Sequence, residues 1–336
     1  MIRALFRATR PAPASKTLGQ GAKRLVKVLR WTPIILALAA ELVSPQSHAD
    51  SKLSIGTAGG GSAVAALFAA KEEGFFAARG LDVTIVQANL DPQMPAALLA
   101  HSLDVAATSA TTFFQAIDGG LDLVVVLGGT ATSKRPTDEA VIARNDIGIK
   151  SPSDFVGRKV GVPGIGAALH VLFRYWLTER GVDFHRVDFA EASMPRMRDM
   201  LGAKILDAAV AVNPFIGQMT DAGVGYIAVP LSGQIPSGKP VIMYTATREW
   251  AAGHVTELEG FRAAIIEGAK FVAANPDKTK EDISHLVKIP LPVIQASQLS
   301  DQSPIIDTDD LAWWFAVMKR QDMLTRDIDL KTLLIR

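Results

Sequence analysis

The sequence predicts an α/β protein of two lobes, each a mostly parallel sheet flanked by helices. Three observations predict it. Strand-like and helix-like segments alternate along the chain. A polar, proline-bearing break at 133–138 separates a first alternating set from a second, and a loop rich in Gly, Pro and Ser at 232–240 precedes a return strand. The length of 336 residues suits two domains after a targeting segment is set aside. Hydrophobic residues make up 49% and charged residues 21%, enough apolar content to bury two cores.

The first 49 residues read as a secretory signal. Lys23, Arg24, Lys27 and Arg30 form a basic n-region, 34–40 is an apolar run, and Ser47-His48-Ala49 supplies the small residues of a cleavage site. The run is shorter than the roughly 20 residues that span a bilayer. An exported protein, free in a periplasm, is therefore expected. Net charge is +1, but 1–49 carries eight basic residues and one acid, which leaves 50–336 at −6. No electrostatic case for nucleic acid remains. The absence of cysteine excludes disulfides, thiolate metal sites, a cysteine nucleophile and a lipid-bearing cysteine.

The elements follow in order. Segments 53–56, 81–87, 103–107 and 121–127 read as strands, with helices at 62–73, 94–100 and 111–118 between them. The second set has strands at 159–162, 187–189, 208–212 and 226–229, with helices at 166–180 and 196–202. A strand at 241–247 returns, and the tail from 257 is largely helical, with Phe261, Ile265, Ala269 and Val272 on one face. The expected domains are a signal at 1–49, a discontinuous lobe I at 50–137 and 241–336, and an inserted lobe II at 138–240. Two crossings make a hinge suited to closure around a ligand.

Three strand-to-helix junctions carry the candidate site. The first offers Thr57, Gly60, Gly61 and Ser62. The second offers Ser109, Ala110 and Thr111. The third offers Gly164, Gly166 and Ala167, with His170 one turn on. Each places amide N–H groups and a positive helix end at the carboxyl end of a strand, which suits an anion. Three capped helices with nothing bound is the plain alternative. Enzyme motifs fail: Val64 and Leu169 stand where a dinucleotide fingerprint needs a later glycine, and Pro240 replaces the hydroxyl of a phosphate loop at 233–239. The six histidines form no metal-binding pair, so no metal and no cofactor are expected. Trp313, Trp314 and Phe315 are expected to serve core and domain packing.

The run Ala69-Ala70-Lys71-Glu72-Glu73-Gly74-Phe75-Phe76, followed by Gly80-Leu81-Asp82-Val83, resembles a signature of the nitrate/sulfonate/taurine-type periplasmic binding proteins of ABC importers. Asp154-Phe155-Val156-Gly157-Arg158-Lys159-Val160-Gly161-Val162 and Leu206-Asp207-Ala208-Ala209 add weaker matches, and the similarity covers about 53–275. The resemblance implies the two-lobed periplasmic-binding-protein fold (type II), a ligand cleft between lobes, no catalysis, and a permease with its ATPase as partners of a monomer. It also implies that Asn213, with Pro214 and Phe215, joins the three junctions. Residues 105–116 hold no acid, and Ala167 and Ala168 replace serines frequent in the family. The expected ligand is thus a small organic anion, a sulfonate, carboxylate or related group with an apolar or aromatic part, and bulky replacements of Ser62 or Thr111 are expected to weaken its binding without unfolding the protein. The alternative is an enzyme on the same fold resembling the thiamine pyrimidine-precursor synthases, whose histidine-rich, cysteine-bearing site this sequence lacks.

Overall fold

The computed structural model describes residues 51–58, 61–88, 90–135, 138–295 and 298–335. The expected signal and Gly60 lie outside them. All described residues belong to one compact unit. The first set of elements is β1 (Ser51–Ala58), α1 (Ala65–Glu72), β2 (Leu81–Ala88), α2 (Met94–Leu99), β3 (Val105–Ser109), α3 (Ala110–Asp118) and β4 (Leu123–Ala131). The second is β5 (Glu139–Arg144), β6 (Lys159–Val162), α4 (Ala168–Thr178), β7 (Asp188–Glu191), α5 (Met194–Gly202), β8 (Ala208–Val212), α6 (Phe215–Asp221) and β9 (Gly225–Pro230). The chain then returns through β10 (Pro240–Thr247) to α7 (Arg248–Gly253), α8 (Val255–Ala274), α9 (Pro276–Val287), α10 (Leu291–Gln295) and α11 (Thr308–Lys319).

These strands build two five-stranded sheets, ordered β2-β1-β3-β10-β4 and β7-β6-β8-β5-β9. The two orders are equivalent. In each sheet a central strand pairs in parallel with two neighbours, and the strand arriving from the other sheet inserts antiparallel: β10 between β3 and β4, β5 between β8 and β9. The mostly parallel sheets match the expectation. Strand β5 is the strand that the sequence reading passes over, and it also passes over the helices α6 and α7. The centre of β5, Ala140 to Ala143, is fully buried, so it shows a four-residue apolar run without the alternation of a half-exposed strand.

The glycine-free alternation of β2 buries Leu81 and Val83 and exposes Asp82 and Thr84, as befits an edge strand. Strand β4 is apolar from Leu123 to Gly129 and buried over its first eight residues, Thr130 included. Its open edge is covered by the C-terminal segment: Val125 N–H donates to Leu333 O at 2.8 Å and Gly128 N–H to Pro304 O at 2.9 Å, which removes an unpaired edge. Helix α1 is rich in alanine, and that lets α8 lie close against it. One core cluster runs through both sheets, joining Val125 and Met243 of the first to Val141, Val160 and Leu172 of the second.

Helix α11 serves both lobes. Trp314 is fully buried and donates from Nε1 to Pro240 O at 2.5 Å. Phe315 packs on Phe114 of α3, and Trp313 meets Tyr175 of α4 edge-on at 5.5 Å. The adjacent aromatics thus divide between core and inter-lobe packing. The two crossings are tied to one another. Thr132 N–H donates to Lys239 O at 2.8 Å, Gly238 N–H to Thr132 O at 2.7 Å, and the Thr132 hydroxyl to Pro236 O at 2.7 Å. The glycine-lysine loop at 233–239 is therefore part of this crossing.

Candidate functional site

Strands β1, β3, β6 and β8 end on the same side of their sheets, and their carboxyl ends surround one cavity of about 350 Å³. Ala58 and Ala63 flank the first junction there, Ser109 stands at the second, Pro163 and Ala167 at the third, and Val212 with Phe215 at the fourth. Both sheets therefore contribute. The walls are mainly apolar: Met194 and Pro195 from the start of α5, Val241 and Ile242 from β10, Val287 at the end of α9 and Ile289 just past it complete them. A Cβ placed on Gly61 would lie 3.8 Å from Cδ of Pro214, so the first and fourth junctions face each other closely.

Of the predicted site residues, Ser109 and Ala167 line the cavity. The other described ones are not among its lining residues, and Gly60 lies outside the described residues. Thr57, Ser62, Ala110 and Thr111 are buried, and the Ser62 hydroxyl lies 2.9 Å from that of Ser300. Thr111 is fully buried, its hydroxyl 3.0 Å from Ser109 Oγ. Bulky replacements at Ser62 or Thr111 would therefore meet packed neighbours. Asn213 follows the lining residue Val212.

The expected free amides are largely taken by the chain itself. At the second junction the Asp91 carboxylate accepts from Ser109 N–H at 3.1 Å, from the Ser109 hydroxyl at 2.5 Å and from the Thr112 hydroxyl at 2.5 Å. Ser109 Oγ in turn caps α3 by accepting from Thr112 N–H at 3.2 Å. At the third junction Ile165 N–H donates to Glu191 Oε2 at 2.9 Å, and Gly166 N–H to His170 Nδ1 at 2.9 Å. His170 is therefore an acceptor at Nδ1, with its proton on Nε2. That nitrogen is buried and has no hydrogen-bond partner among the described residues, and the imidazole packs in a T-shaped contact with Phe189, ring centroids 4.4 Å apart. Burial, with Arg174 beside it, pushes the imidazole down to about 3. His170 is a neutral structural acceptor that holds the third junction, and it does not line the cavity.

Gly166 also marks where the lobes touch. Its carbonyl accepts from Gln115 Nε2 of α3 at 3.0 Å. Its φ of +84° favours glycine, and a Cβ there would lie 2.5 Å from Gln115 Nε2.

Asp91 is the residue sequence reasoning missed. The lack of acid in 105–116 suggested a junction stripped of negative charge, but the loop after β2 delivers a carboxylate across 18 residues of sequence. Burial raises its pKa against the opposing pull of Ser109 and Thr112. A sequence signal was present: Asp91-Pro92 opens a helical turn in the loop after β2. The other missed lining residues include Gln87 near the end of β2, Ser193 just before α5 and Met194 at its start.

Two lobes, two crossings and a cavity at the carboxyl ends of parallel strands define a protein of the periplasmic-binding-protein fold. Solved structures agree. The alkanesulfonate-binding protein SsuA from Xanthomonas axonopodis pv. citri, bound to MOPS, is similar with a TM-score of 0.72 and 16% identity, over 85% of this chain and 98% of that one. The periplasmic nitrate-binding protein NrtA from Synechocystis PCC 6803 gives 0.70 and 17% identity over 84% of each chain. The periplasmic aliphatic sulphonate-binding protein SsuA from Escherichia coli gives 0.67 and 18% identity, over 84% of this chain and 97% of that one. A profile described as NMT1/THI5 like matches residues 62–279, and the chain belongs to that family. No curated protein sequence matches it. Among the described residues no helix is long and apolar enough to cross a membrane, and no group of His, Cys, Asp and Glu is placed to hold a metal.

Proposed function

We propose that this chain is the periplasmic solute-binding component of an ABC importer, exported by its N-terminal signal and acting without catalysis. The lobes are 50–137 with 241–336, and 138–240, and they close around a small organic solute. The observation that carries the reading is the convergence of four strand-end junctions, two from each sheet, on one cavity. A ligand touching both lobes would favour the closed state, because only there are all its contacts available. Non-catalytic binding is supported by the site's chemistry: the chain has no cysteine, and His170 is engaged by Gly166 N–H.

The apolar walls support a solute with a sizeable apolar part. The sulfonate or carboxylate group expected from the sequence loses support, because amides at two of the three junctions already serve Asp91, Glu191 and His170. Native mass spectrometry of the mature protein purified without denaturation tests the function. A retained small molecule that raises the melting temperature on re-addition is expected. A protein that retains nothing, and that no small organic compound stabilises, would refute it.

A further inference from the structure

The proposed solute-binding role leaves the charge of the solute open, and the cavity bears on it. Among the described residues its lining holds one ionisable side chain, Asp91, and no lysine, arginine or histidine. The remaining polar lining is neutral: Gln87, Ser109 and Ser193. Asp91 receives three hydrogen bonds, all from neutral donors. An ionised carboxylate offers about four acceptor positions, and one on Oδ1 is still open. No ion pair among the described residues engages Asp91, whereas Asp138 meets Arg135 and Asp282 meets Lys278. Asp91 is half-buried, and a carboxylate partly withdrawn from water without a cation is costly.

From this geometry we infer that the solute is an apolar molecule carrying a nitrogen donor, an amine, amidine or protonated ring nitrogen, and that Asp91 receives that donor. The inference rests on the solute-binding reading. An anionic head group would enter a cavity whose one charge has its own sign, next to amides already engaged. A donor head group completes the carboxylate and leaves the solute body against Met194, Phe215, Val241 and Ile242. A volume of about 350 Å³ is on the order of a dozen waters at their liquid packing, room for one or two rings. Asp91 also anchors both ends of the contact: its carboxylate caps the helix start of lobe I, and the adjacent Pro92 lies against Gly164 of lobe II.

The test is calorimetry and thermal shift on the mature chain with matched probes: benzylamine, benzamidine and aminomethylpyridine against benzoate and benzenesulfonate. Wild type, Asp91→Asn and Ala167→Leu are compared. Asn keeps the shape of the cap, and Ser109 and Thr112 hydroxyls can accept from its amide, so the variant should fold. Its melting curve verifies that. The nitrogen probes are expected to bind wild type and to weaken roughly 10- to 100-fold in Asp91→Asn, the range for a charged hydrogen bond. Ala167→Leu should abolish binding of every probe, which places them in this cavity. Stronger binding of benzoate or benzenesulfonate would overturn the inference and leave solute binding intact. Equal binding of the nitrogen probes to wild type and Asp91→Asn would overturn it likewise. Failure of all probes, with no small molecule retained by the purified protein, would overturn both.

Discussion

Replacing Glu139 by glutamine should remove a pH dependence built into the hinge. Glu139 opens β5 at the first crossing and is 7% exposed. Ser232, at the second crossing, is its partner. Ser232 Oγ accepts from Glu139 N–H at 2.6 Å, lies 3.1 Å from Glu139 O, and contacts the carboxylate oxygen Oε2. A hydroxyl has one proton and two lone pairs. When Glu139 is protonated, its carboxyl can donate to Oγ, and the serine proton is free for Glu139 O, so every group is satisfied. When Glu139 ionises, carboxylate and carbonyl compete for that single proton. Burial raises the carboxyl from 4.5 to about 7, with Ser232 opposing, Asp138 adding to the rise, Arg135 opposing and Asp301 adding.

The sign follows from proton binding. Between pH 4.5 and about 7 the folded chain holds a proton that the unfolded chain has released, so stability falls as pH rises through that window and is flat above it. The loss is on the order of 3 kcal/mol at 1.36 kcal/mol per unit. Urea denaturation of the mature chain between pH 4 and 8 reads it. The difference in midpoint between Glu139→Gln and wild type should widen with pH in favour of the variant, because carboxylates elsewhere titrate equally in both. Parallel profiles would refute the reasoning.

Gly268→Ala should destabilise by about 1–3 kcal/mol through overpacking, since its Cβ would fall 2.3 Å from the backbone oxygen of Ala66 and force α8 away from α1; an unchanged melting temperature would contradict this. Gln115→Ala removes the hydrogen bond to Gly166 O between lobes, worth about 0.5–1.5 kcal/mol, and should weaken the retained solute roughly two- to tenfold while small-angle scattering shows a more open population. Thr111→Val deletes a fully buried hydroxyl contact with Ser109; about 1 kcal/mol of stability should be lost with solute affinity unchanged in calorimetry.

Much of the architecture was legible in the residues. Alternating patterns of period 2 and 3.6 reported which faces are buried, so fourteen elements could be ordered and the polar break at 133–138 found. The strand-to-helix junctions at Ser109 and Gly166 were legible too, because glycines and capping hydroxyls act locally. Strand direction was not. The antiparallel insertion of β5 and β10 depends on which edge each crossing reaches, and a periodic pattern names a face without naming a neighbour. The state of the junction amides was also hidden: Ser109 meets Asp91 from 18 residues away, and Ile165 meets Glu191 from 26. Local sequence determines where donors are presented. Only the folded chain decides whether its own acceptors consume them, because that depends on contacts between segments distant in sequence and adjacent in space.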